Sequence, residues 1–193
     1  MVRKFVAVLF ALTLVGATVS AAQVGIGVSG QYLSLNGNDF DGIDAGFGVE
    51  GNVMFAVAPA IKVGASGQWS THDAGGDNVS LLGIFGEGRY LFTMAGKATP
   101  YIGARGGWTQ ASSDVTGLGS LKASGFAFGG GVGVMIAMTP TLAIDVNGMF
   151  HSVSLGDAKV DGTTVPDSKS SGTALQIRAG INFKLGGGGN GGM

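Results

Sequence analysis

"TALQIRAGINFKL", residues 173–185, poses the question on which the fold turns. From Leu175 onward every odd position is apolar: Leu175, Ile177, Ala179, Ile181, Phe183 and Leu185. Between them stand Gln176, Arg178, Gly180, Asn182 and Lys184. Successive side chains of a strand point to opposite faces, so this segment is a strand with one greasy face and one wet face. In a soluble sheet the greasy face meets a core. In a barrel that crosses a membrane it meets lipid, and the wet face is the inside.

The same alternation recurs seven more times upstream. The apolar positions run Val24–Tyr32, Phe47–Val57, Ile61–Trp69, Leu82–Phe92, Ile102–Trp108, Phe126–Ile136 and Leu142–Phe150, each in steps of two. The fourth segment is the least clean, because Phe85 and Leu91 fall on its polar face. Three connections are short (58–60, 93–99, 139–140) and four are long (36–44, 71–78, 111–123, 153–172). Short turns on one rim and long polar loops on the other are the pattern of an up-and-down barrel. With eight strands both chain ends fall on the short-turn rim.

Ahead of the first strand, "MVRK" is basic, "FVAVLFALTLVGA" is apolar and "TVSAAQ" offers small residues for cleavage. That is a secretory signal peptide over residues 1–22, cleaved after Ala21 or Ala22, and its apolar run is short for a membrane-spanning helix. The remaining chain is one domain's worth. Charged residues are 12% of the whole, about half the usual share of roughly 25%. Removing Arg3 and Lys4 from the eleven basic residues leaves nine against twelve acids, a net charge of −3. This balance offers no basic face for a nucleic acid. There are no cysteines, so an exported chain must hold itself together by other means, and a closed hydrogen-bonded barrel does so.

The position of the charges is the sharpest signal. Eight ionisable acids and bases lie within the strands: Glu50, Lys62, Glu87, Arg89, Arg105, Asp145, Arg178 and Lys184. All eight lie on the polar face. A charge toward lipid would cost about 2–4 kcal/mol near the midplane. Nine of the twelve acids (Asp39, Asp41, Asp44, Asp73, Asp77, Asp114, Asp157, Asp161 and Asp167) fall in the long loops. The segments reach ten residues or more, against about 5–6 for globular strands and about 9–11 for a membrane crossing. Aromatic residues gather at strand ends, with Trp69, Trp108 and Phe150 near the long loops and Phe55, Tyr90, Phe92 and Phe183 near the short turns. These read as two interfacial girdles. A soluble lipocalin-like binder would need a charged outer face, for which the chain has few charges.

The expectation is an all-β chain folded as an eight-stranded antiparallel up-and-down transmembrane β-barrel over 23–185, followed by a Gly-rich disordered tail over 186–193. Its lumen would hold an ion network of Glu50, Lys62, Glu87, Arg89, Arg105, Asp145 and Arg178. Across the 93–99 turn, antiparallel pairing centred near Gly96 sets Glu87 opposite Arg105.

Over 23–185 the chain resembles the small eight-stranded outer-membrane proteins of the OmpA transmembrane-domain and OmpX type. "TPYIGARGGW" at 99–108 is similar to the strand-five opening of that class. Arg178, Gly180, Phe183 and Leu185 resemble its C-terminal assembly signal, although here the chain runs on past Phe183 into "KLGGGGNGGM". The resemblance implies a Gram-negative outer membrane, outer-membrane lipid as surroundings, insertion by the barrel-assembly machinery, a monomer and no cofactor. Cell-wall anchoring is not carried over from the class, since no peptidoglycan-binding domain is expected after the barrel.

Catalysis is not expected. His151 and Ser152 are adjacent on a strand and point to opposite faces, so the hydroxyl lacks a base in reach; His151 is expected to line the loop-side mouth. "NGNDFDGID" at 36–44 faintly resembles a calcium loop, but its first ligand position is Gly37, which has no side chain. Two histidines and no cysteine give no zinc spacing. The functional expectation is a non-enzymatic barrel with a structural or surface role through acidic loops. The alternative is a narrow porin-like passive channel for very small solutes.

Overall fold

The computed structural model describes residues 23–92, 94–115 and 119–185. The segments read from the sequence as a signal peptide (1–22) and a Gly-rich tail (186–193) lie outside the described residues. Eight long strands form the wall: β1 (Val24–Asn36), β2 (Gly46–Ala58), β3 (Ile61–Ala74), β4 (Asp77–Leu91), β5 (Ala98–Val115), β6 (Gly119–Ala137), β7 (Leu142–Leu155) and β10 (Ser170–Leu185). Between β7 and β10, two-residue strands β8 (Lys159–Val160) and β9 (Thr163–Thr164) make a small hairpin, and β8 continues the sheet beside β6. A single 3₁₀ turn, Asn38–Phe40, follows β1.

All neighbours are antiparallel, in the order β5-β4-β3-β2-β1-β10-β7-β6, and β5 pairs with β6 to close the ring. Ladder partners followed from Gly30 through Val49, Trp69 and Leu82 arrive on β5 at Gln110. Followed the other way, through Ala179, Val146 and Val134, they arrive at Pro100. The circuit therefore closes ten residues out of step (110 against 100), a stagger that tilts the strands by roughly 40°.

The wall is inside-out relative to a soluble protein. Phe47, Ile84, Val132 and Phe128 are 69, 60, 65 and 66% exposed, while Glu50, Arg178 and Gln176 are at most 1% exposed. Every apolar face read from the sequence points outward. Phe85 and Leu91 are buried inside, which is why they break the pattern of β4.

Two connections differ from the expected loops. The segment 71–78 is mostly strand: β3 and β4 run on to a two-residue turn at Gly75 and Gly76, where φ is +66° and +103°. Such turns need positive φ at both positions, which glycine adopts without strain. Likewise β5 and β6 stay paired out to Val115 and Gly119. The strands outlast their own hydrophobic signal, because above the membrane level the outward positions turn polar (Thr71, Ser80, Ser112) while the ladder continues.

Candidate functional site

Three cations and three anions meet inside the barrel. Arg178 from β10 reaches Glu50 of β2 through Nη1, and its Nε donates to Asn147 Oδ1 at 2.7 Å. Arg105 from β5 donates to Glu50 Oε2 at 2.6 Å, to Gln68 Oε1 at 2.6 Å and, from Nε, to His151 Nε2 at 2.7 Å. Arg89 from β4 donates to Glu87 Oε1 at 2.6 Å and to Asp145 Oδ2 at 2.6 Å. Glu87 also lies 3.5 Å from Arg178, which joins the two halves. Tyr101 Oη donates to Asp145 Oδ1 at 2.8 Å. Two of the guanidinium groups also sit over rings, Arg89 over Tyr101 and Arg105 over Phe85. All six charged residues are no more than 4% exposed.

This geometry follows from a narrow bore. Glycine beside the charged residues adds no side chain to the bore: Arg105 pairs on the ladder with Gly129 of the neighbouring strand, and Asp145 with Gly180. Buried charge is tolerated only when paired and hydrogen-bonded. Here each guanidinium has at least one carboxylate, and the count of charges balances.

Of the seven residues expected in the network, six come together. Lys62 does not: it faces inward at the short-turn end, forms no ion pair among the described residues, and sets its Nζ 3.8 Å from Met135 Sδ. Its low position on β3, the second residue after the turn, keeps it below the cluster. Glu87 and Arg105 are opposed on the ladder as expected, yet they form no ion pair. Arg105 turns instead toward Glu50, Gln68 and His151. His151 is not at the mouth but 2% exposed in the lumen, with its Nε2 as acceptor. Ser152 faces the other way.

A polar layer that the sequence reading left unnamed lies beside the ions. Gln176 Nε2 donates to Gln31 and, at 3.0 Å, to Gln68. Gln31, Gln68, Gln176, Asn147 and Tyr101 share the inward parity of the charged residues, so the signal for them was present.

Toward the long loops the lumen turns apolar. Leu33, Leu35, Phe40, Leu81, Phe85, Ala127, Val153, Leu155 and Ala174 form one buried cluster. A cavity of about 30 Å³ remains between it and the Arg105–His151 layer, room for about one water. Phe40 descends into this cluster from the 3₁₀ turn. Nearby, Asp39 Oδ2 accepts from the Ser171 N–H at 2.8 Å and His72 Nδ1 meets the Asp44 carbonyl at 3.0 Å, bracing the first loop. Asp39, from the segment that faintly resembled a calcium loop, is thus engaged by backbone.

The seven residues expected to form girdles all point outward. Phe55, Tyr90, Phe92 and Phe183 stand near the short turns, Trp69, Trp108 and Phe150 near the long loops. Tyr32, Phe47, Phe126 and Phe128 face outward as well. In the segment that resembles an assembly signal, Arg178 and Gly180 face the lumen, whereas Phe183 and Leu185 face out; Arg178 bonds within the ion cluster.

A family model described as outer membrane protein beta-barrel domain matches residues 5–183. No curated protein matches the chain. Among solved structures, Neisserial surface protein A is similar at 18% identity and a TM-score of 0.65, over 86% of this chain and 98% of that one. A major outer membrane protein from Thermus thermophilus is similar at 14% identity and a TM-score of 0.57, over 86% and 100%. Ail, the attachment invasion locus protein of Yersinia pestis, is similar at 12% identity and a TM-score of 0.52, over 86% and 100%. At these identities the likeness is one of fold.

Proposed function

The chain belongs to the outer membrane protein beta-barrel domain family, and from that premise we propose that it is a closed, non-enzymatic barrel of the bacterial outer membrane with a surface role. Its work is done by the rim of long loops, and the lumen is sealed rather than conducting. The observation that carries this reading is the double seal: a charge-balanced layer of Glu50, Glu87, Asp145, Arg89, Arg105 and Arg178, and beyond it the apolar cluster under Phe40. A solute path would need a continuous wet lumen, and water leaves narrow apolar constrictions.

In this reading both termini are periplasmic and the acidic long loops face outward. The barrel-assembly machinery inserts the chain as a monomer, surrounded by outer-membrane lipid. The test is planar-bilayer recording of the refolded mature protein at neutral pH. The expected record is free of conductance steps. Regular small steps would favour the narrow channel instead.

A further inference from the structure

The long-loop rim is uneven. β3 to β6 run on past the level where their outward face is apolar, and one outward rung crosses four strands from Thr71 through Ser80 and Ser112 to Lys122. Directly below it stands the rung of Trp69, Leu82 and Gln110. At the ends of β4, β5 and β6 lies a groove of about 490 Å³, lined chiefly by Asp77, Asn78, Ser80, Ser112, Ser113 and Lys122. That volume is in the range of small-molecule sites, roughly 300–1,000 Å³. The lining is unlike most of them: hydroxyls, an amide and one charge of each sign, with no large apolar side chain among these six. The side-chain hydrogen bonds nearby are made by other residues. Asp73 accepts from the Gly76 N–H, Thr109 donates to the Leu82 carbonyl, and Asp161 accepts from the Ser120 N–H. Lys122 faces Lys159 across its rung to β8 rather than an acid, and forms no ion pair among the described residues.

We propose that this groove binds the saccharide headgroup of a glycolipid in the adjoining leaflet. The proposal rests on the reading given above, in which this rim stands on the outer side of the membrane. A sugar hydroxyl both donates and accepts. It therefore matches serine hydroxyls and a carboxamide, takes the Asp77 carboxylate as acceptor and takes the Lys122 ammonium as donor. A bare anion would meet Asp77, and a bare cation would meet Lys122. An apolar ligand would strip water from hydroxyls and give them nothing in return. Height selects a lipid-borne sugar. Rungs on one face of a strand are about 7 Å apart, and the headgroup layer extends about 5–8 Å beyond the hydrocarbon on each side. With Trp69 at the boundary, where tryptophan gathers, the rung of Ser80 and Ser112 falls within the headgroups. Hydrogen bonds from water-exposed groups are individually weak. A headgroup confined to the leaflet by its acyl chains is held at high local concentration, so weak bonds retain it where they would not retain a dissolved sugar.

The experiment places the isotope-labelled mature barrel in phosphatidylcholine nanodiscs with rising fractions of digalactosyldiacylglycerol. Saturable shifts are expected at the Asn78 side-chain amide and at the backbone amides of Ser80 and Ser112. Ser80→Ala combined with Ser112→Ala should weaken the response by about tenfold, about 1.4 kcal/mol. Ser171→Ala, on the outward face of β10 away from the groove, should leave it unchanged. Phosphatidylglycerol replaces the glycolipid in a second arm, and soluble digalactose is added to plain phosphatidylcholine discs in a third; neither should reproduce the shifts. Equal shifts with phosphatidylglycerol would mean that charge rather than sugar is read, and equal shifts with soluble digalactose would remove the lipid-borne assignment. Absence of saturable shifts with the glycolipid, or equal responses of wild type and the double variant, overturns the site. Both leaflets of a nanodisc carry the glycolipid, so the site is read whatever the orientation in the cell. The outward orientation is tested apart, by labelling Lys159→Cys on intact cells with a membrane-impermeant maleimide. Labelling is expected, and a shielded cysteine overturns the outward rim whatever the nanodiscs show.

Discussion

Glu50 is the residue on which the lumen depends most. It accepts from both Arg105 and Arg178 and is 1% exposed. Glu50→Gln leaves two guanidinium groups without that carboxylate. Breaking a buried pair on one side costs about 3–5 kcal/mol, and urea unfolding of the barrel from micelles should show a loss of that order. A double-mutant cycle on Glu50→Gln and Arg105→Gln should give coupling of about 1 kcal/mol or more, whereas Glu87→Gln with Arg105→Gln should fall short of that. Equal coupling in the two cycles would contradict the bonding pattern of Arg105. The contrast also marks what was legible. That Glu87 opposes Arg105 follows from counting back across a turn, because an antiparallel ladder is arithmetic. Where the guanidinium goes is not arithmetic: in a bore this narrow a side chain reaches strands that are not its neighbours, and β5 bonds to β2, β3 and β7.

Each strand carries two instructions, and they differ in how well they can be read. The outward face is legible wherever it is apolar, from the short turns up to the level of Trp69 and Trp108, because lipid enforces it there. Ile84, 60% exposed near mid-strand, should therefore not accept arginine: Ile84→Arg should destabilise by about 2–4 kcal/mol, and Ile61→Arg, beside the short turn, by about 1 kcal/mol or less. Refolding yield and denaturant midpoint for the two variants measure the gradient; equal losses would mean that depth does not run along β3 and β4 as described. The inward face is less legible, since polar and apolar residues are both tolerated there. Leu33 and Leu35 follow Gln31 on the same face of β1 and change the lumen from wet to dry within two turns of the pleat. Asn147 shows the limit of polarity as a guide. It lies on the wet face, yet its amide oxygen accepts from Arg178 at 2.7 Å, so Asn147→Arg would set two guanidinium groups together and should be poorly tolerated. The upper ends of β3–β6 escaped the sequence reading for a related reason, because pairing persists where hydrophobic alternation stops.

At the scale of the whole molecule, the two layers of the lumen act in series. The ion layer excludes solutes by filling space with charges that satisfy one another. The apolar layer excludes water by offering it nothing to bond. On the proposed closed-barrel reading either layer alone suffices, so removing one should not open the barrel. Glu87→Gln, which unbalances the ion layer, should cost stability and leave conductance at the wild-type baseline, because the cluster from Leu33 to Leu155 stays dry. Phe40→Gly with Leu155→Ala thins the apolar layer, but the ring of arginines and carboxylates remains below it. The combination of all three substitutions weakens both barriers at once, and it is this variant that should show small, frequent conductance steps in planar bilayers. The order of effects is the test. Steps appearing with Glu87→Gln alone would show that the apolar cluster is permeable and that charge pairing is the sole seal. Steps appearing with Phe40→Gly and Leu155→Ala alone would show that ions pass the arginine layer freely, and the bonds drawn there would then be too weak to hold the lumen closed.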